Sequence, residues 1–206
     1  MYSKYFKITW VHPVLVFLAM VLDGAIALNA APILYRLPMA ASPYLVLLFL
    51  LAPTLVGAEG IKNPSDQYLL AFTVGLVYDL YYTGYVGVSM IGFPMMLGLA
   101  RWVQQFFEHT YFWEMMIFFF VLNCYLVFDY LAFSIINVAQ QNIQEFVIFH
   151  MFPTVLLNLL LFMLFYSIIE WLYALMRSAE MIDYNVTNQQ IGNRMIIKRR
   201  ADRFKN

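Results

Sequence analysis

GLVYDLYYTGYVGVSMIGFPMMLGLAR, residues 75–101, is the stretch whose reading decides this fold. Most of it is apolar enough for hydrocarbon, but one carboxylate, Asp79, and two glycines, Gly84 and Gly87, interrupt it. A helix that ends near Tyr82, a glycine turn and a second helix running to Arg101 account for that pattern. A helix-end carboxylate can accept bonds from the free N–H groups of the following helix, whose N-terminus favours negative charge. Structural capping is therefore the first role to expect of Asp79.

Working outward, the whole chain has the same solvent preference. Of its 206 residues 63% are apolar and only 12% charged, and the mean hydropathy is +0.71. Those values lie outside the range of soluble domains and make this an all-α integral membrane protein. Apolar runs long enough to cross about 30 Å of hydrocarbon fall at 11–35, 43–59, 67–82, 84–104, 111–137 and 146–176. The expectation is a six-helix transmembrane domain over 1–176 and a basic cytoplasmic tail over 177–206. The first run is too long for a signal peptide and lacks a convincing cleavage site, so it reads as a retained span. At about 1.5 Å per residue the sixth run reaches roughly 46 Å, so it tilts or extends beyond the bilayer and brings Glu170 near the headgroups.

The charges set the orientation. With six spans, Lys4, Lys7, Lys62, Arg101 and the seven basic residues of the tail share one side, and Arg36 stands alone on the other. Positive flanks stay cytoplasmic, which places both termini inside. The tail gathers Arg194, Lys198, Arg199, Arg200, Arg203 and Lys205, a cluster suited to anionic lipid, with docking of a cytoplasmic protein as the other reading. The Asn185-Val186-Thr187 sequon falls in that tail and implies no glycan. Cys124 has no partner cysteine in the chain, which excludes a disulfide framework.

Ionisable groups at membrane depth are functional candidates by default. Asp23 lies near the middle of the first span, six residues before Asn29. Two readings stand for it: a polar contact inside the bundle or to a partner helix, and a hydrogen-bonded core carboxyl with a structural role. Asp129 lies within reach of water if the bundle is open there, with Asn158 or His150 as possible mates. Asn123 and Asn158 read as interhelical hydrogen bonders, and His12, His109 and His150 as interface histidines. Gly84, Gly87, Gly92 and Gly98, with Ala27 and Ala31, are small enough to let helices approach closely. Pro94 removes a backbone bond from the fourth span and should kink it. Aromatics near the predicted ends, Tyr81, Tyr82, Tyr85, Trp102, Trp113 and Trp171, read as an interfacial belt.

No nucleophile elbow, zinc-protease pair or phosphate loop is present in the sequence, so no catalytic, cofactor or metal site is expected, and no nucleic acid. The Gly75-Leu76-Val77-Tyr78-Asp79-Leu80 segment, with Thr83-Gly84, Gly87 and Ile91-Gly92-Phe93-Pro94, resembles the third-to-fourth span signature of the rod shape-determining MreD family. The resemblance implies a noncatalytic component of the bacterial cell-elongation machinery in the cytoplasmic membrane. Such a component binds a single-pass, coiled-coil MreC-like protein and helps position peptidoglycan synthases. Asp23, Asn29, Asp79, Gly84, Gly87 and Pro94 are then the candidate partner-binding residues. The family also looks like the membrane subunits of energy-coupling-factor transporters. That implies the alternative of a vitamin-binding subunit, with Asp79, Asp129, Asn158 and His150 supplying an outward cavity.

Overall fold

The computed structural model describes residues 8–58, 64–136 and 142–176, and all regular structure among them is helical. In chain order these are α1 (Ile8–Asn29), the short α2 (Ala31–Leu34), α3 (Leu45–Leu55), α4 (Pro64–Tyr78), α5 (Val88–Gln104), α6 (Tyr111–Ile135) and α7 (Ile143–Met176). Two wider π-helical turns are built in: Asp79–Thr83 continues α4, and Val147–Met151 lies inside α7.

α1, α6 and α7 are each long and apolar enough to cross a membrane, and only 28–33% of their most apolar windows is buried inside the protein. The remaining apolar surface needs a lipid or protein neighbour, since water tolerates no patch of that extent. α3 is the opposite case. Ten of its eleven residues, all but Thr54, are buried, as expected of a helix apolar on every side. It packs against α1, α5 and α6, and its Phe49 meets Phe165 of α7 edge to face.

The boundaries depart from the expected spans for local reasons. The first helix stops at Asn29 instead of running to 35, because Pro32 removes an N–H from the ladder and restarts the chain as α2. The second expected span is helical only over Leu45–Leu55. At about 1.5 Å per residue it covers roughly 16 Å, near half a bilayer core. Irregular chain over 35–44, which contains Pro38 and Pro43, leads into it. α5 continues through Pro94 as an unbroken helix and starts at Val88, four residues later than expected. The ends placed at 59 and 137, and the tail with Arg194, Lys198, Arg199, Arg200, Arg203 and Lys205, lie outside the described residues.

α4 and α5 form a close antiparallel pair. Their crossing is set by Gly75, where an added Cβ would lie 2.3 Å from the Ser89 carbonyl oxygen and 2.7 Å from Met90 Cα. Only a missing side chain permits that approach, since the obstacle is backbone.

Candidate functional site

A helix that begins inside a membrane protein has up to four N–H groups with neither a helical partner nor water to satisfy them. Two helices here start that way, and each is closed by an aspartate. At α3, Leu45 N–H donates to Asp23 Oδ1 and Val46 N–H to Asp23 Oδ2, both at 2.8 Å. Tyr44 N–H donates to Asn158 Oδ1 at 2.7 Å. Helices α1 and α7 thus jointly supply the acceptors that α3 lacks.

The segment entering α3 is strapped to α7 by the same logic. Asn158 Nδ2 donates to the Ser42 and Thr154 carbonyls, both at 2.8 Å, and Ser42 N–H donates to Thr154 Oγ1 at 3.2 Å. Ala40 N–H donates to the Phe149 carbonyl at 2.8 Å, and His150 Nδ1 donates to the Ala40 carbonyl at 2.9 Å. Phe149 and His150 belong to the π-helical turn, where widened geometry lets a helix carbonyl accept from outside. The far end of α3 closes with Gly57 at φ +62°, Ala58 N–H on the Pro53 carbonyl and His109 Nδ1 donating to the Leu55 carbonyl at 2.8 Å.

At α5, Asp79 performs the capping its position implied. Oδ2 accepts from Gly87 N–H at 2.8 Å and Met90 N–H at 3.2 Å, and Oδ1 from Ser89 N–H at 2.9 Å. The π turn brings the chain round through the Gly84 N–H to Asp79 carbonyl bond, 2.8 Å, with Gly84 at φ +70° and Gly87 at φ +122°. Both glycines have open space where a Cβ would sit. They serve the turn, and not close helix packing as expected; Gly75 and Gly92, the latter against Tyr125 and Phe128, serve packing.

These contacts give both carboxylates a structural role within the fold. Asp23 is 2% and Asp79 0% exposed, and every carboxylate oxygen is engaged internally. Asn29 is exposed, with its amide returned to the Ala25 carbonyl of its own helix at 2.8 Å; Asn123 does the same with Phe119, at 2.7 Å, and bridges no helices among the described residues. Gly84 is exposed and Pro94 half-buried, so both remain near the surface. His12, near the start of α1, is buried, with Nδ1 sharing a 2.6 Å bond with the Tyr173 hydroxyl.

Between these caps lies a cavity of about 250 Å³, lined by Asp23, Asp129, Tyr44, Tyr78, Tyr125 and His150 among others. It sits at the end of the bundle away from the start of α1. Asp129 reaches open space there, as expected, but Asn158 and Asp79 are committed to backbone caps, and no ion pair joins Asp129 to His150 among the described residues. Tyr82 closes one side by donating to the Met20 carbonyl at 2.7 Å, with its ring over Gly24. None of the tyrosines was legible as a group, because four separate elements contribute them. Among the described residues no three His, Cys, Asp or Glu side chains converge to hold a metal.

A family model described as rod shape-determining protein MreD matches residues 4–178. No curated protein and no solved structure matches the chain.

Proposed function

The chain belongs to the rod shape-determining protein MreD family, and on that premise we propose how its geometry serves the role. It is a noncatalytic, multi-pass membrane component of the bacterial cell-elongation machinery. The observation that carries this is the family match over residues 4–178.

The finer reading is a scaffold of six spans with both termini cytoplasmic, over 1–176, followed by a tail that rests on anionic lipid. Eleven of the twelve Lys and Arg residues fall on the cytoplasmic side of that topology. The fold type of energy-coupling-factor membrane subunits is compatible with this arrangement, but the transport function has no support in the family match. The partners are a single-pass, coiled-coil MreC-like protein and the peptidoglycan synthases it recruits.

Partner contact runs through surfaces that the buried carboxylates hold in shape. Asp79 fixes the turn that exposes Tyr81, Gly84, Tyr85 and Val86, and Asp23 fixes the start of α3 without touching a partner itself. Asn29 and the half-buried Pro94 lie at accessible positions beside these elements. The test is co-purification of tagged chain from native membranes in mild detergent. Recovery of an MreC-like protein and wall synthases is expected, with loss of that recovery on replacing Tyr81 and Val86 by Asp. Recovery of ATPases with a coupling membrane protein would overturn the reading.

A further inference from the structure

We infer that the cavity between α1, α6 and the two capped helix starts is a binding site for a small organic cation. The ligand is a primary ammonium or guanidinium group, carried by a free solute or by a basic side chain of a partner.

The lining is rich in acceptors and tyrosine rings. Asp129 reaches the cavity with no hydrogen bond or ion pair to its carboxylate among the described residues. Asp23 lines the same cavity, its oxygens held by the Leu45 and Val46 N–H groups. Among the described residues no Lys or Arg lines the space. His150 gives its Nδ1 hydrogen to the Ala40 carbonyl, which leaves Nε2 as a further acceptor in the neutral ring. Tyr44 and Tyr78 are 6% and 8% exposed, and neither hydroxyl has a hydrogen bond among the described residues. Both residues line the cavity, where a donor can reach their hydroxyl oxygens.

The rings add a second kind of attraction. Tyr44 stacks on Tyr78 at 6.3 Å between centroids and meets Tyr125 edge to face at 5.3 Å, so three electron-rich rings bound the same space, as in aromatic sites for ammonium groups. A bare metal ion fits poorly, since no three metal-ligating side chains converge among the described residues. The volume of about 250 Å³ is just below the roughly 300–1,000 Å³ of sites for drug-sized ligands. That size suits one functional group with a short stem.

The test is equilibrium dialysis of labelled agmatine against the full chain in phosphatidylglycerol nanodiscs, whose headgroups carry no competing amine. Saturable binding is expected, displaced by butylammonium and not by butanol or by potassium chloride at equal ionic strength. Asp129→Asn should weaken it by about tenfold or more, and Tyr78→Phe, which keeps the ring, by less. Absence of saturable binding, equal displacement by butanol, or wild-type affinity in a folded Asp129→Asn protein would overturn the inference. Should that variant not fold, the contrast between butylammonium and butanol on the wild-type chain decides alone. The same dialysis on the chain co-purified with its partner separates the sources: exclusion of agmatine assigns the cation to a partner side chain, and unchanged binding assigns it to a free solute.

Discussion

Asp23 and Asp79 perform the same task at two helix starts, and they differ in where their donors come from. Asp79 caps the helix that follows it, across a turn, with donors at Gly87, Ser89 and Met90. Asp23 sits in mid-helix on α1 and caps α3 from the side, with donors at Leu45 and Val46 that arrive only after an irregular segment and a proline pair. The first cap is a property of local sequence and the second a property of packing. The difference predicts unequal dependence on each carboxylate, because the Asp79 turn has exposed neighbours whereas the acceptors at the α3 start, among the described residues, come from Asp23 and Asn158.

Asp23→Leu should have the largest effect, about 2–6 kcal/mol, since it leaves two buried N–H groups without acceptors. Thermal unfolding in detergent measures it, and a loss below about 1 kcal/mol would show that water or another group reaches the α3 start. Combining it with Asn158→Leu sharpens the point, because both side chains serve one helix end and their effects should not add. Asp79→Ala should come next, at about 2–4 kcal/mol, because water at the half-buried Gly87 N–H softens the loss of its three bonds. An Asp79 effect clearly above the Asp23 effect in the same assay would reverse the comparison.

Gly75→Ala tests the packing beneath the Asp79 cap. With Ser89 and Met90 backbone inside 3 Å of the new methyl, α4 and α5 must separate, for about 1–3 kcal/mol. Cysteine cross-linking across the pair should slow in step with the lost stability. Tyr82→Phe removes the hydroxyl that ties the π turn to α1 at the Met20 carbonyl and should lower stability by about 0.5–1.5 kcal/mol in the same melts. Asn29→Ala touches only its own helix and should stay within about 0.5 kcal/mol, so any fall in partner recovery with that variant would report a surface contact and not a folding defect.

Legibility followed the range of each interaction. The Asp79 cap could be read because its three donors lie within one turn and the next helix start. The two readings left open for Asp23 were separated only by α3 docking against α1. Asn158 was read correctly as an interhelical bonder, while Asn123, with the same chemistry on a similar helix, turned back on its own backbone. Nothing in residue type distinguishes those two; the neighbour each one meets does.

By itself the sequence determined the solvent and the class of architecture, because transfer into hydrocarbon accumulates residue by residue and needs no knowledge of contacts. The signature of residues 75–101 likewise identified the family later matched over residues 4–178. The tertiary structure alone decided that α3 is a short helix enclosed at all but Thr54, that Gly75 rather than Gly84 sets a crossing, and that tyrosines from separate elements share a cavity with Asp129. Each of those depends on which backbone reaches an unsatisfied group first once helices pack, and that is a question of distance in space across segments far apart in the chain.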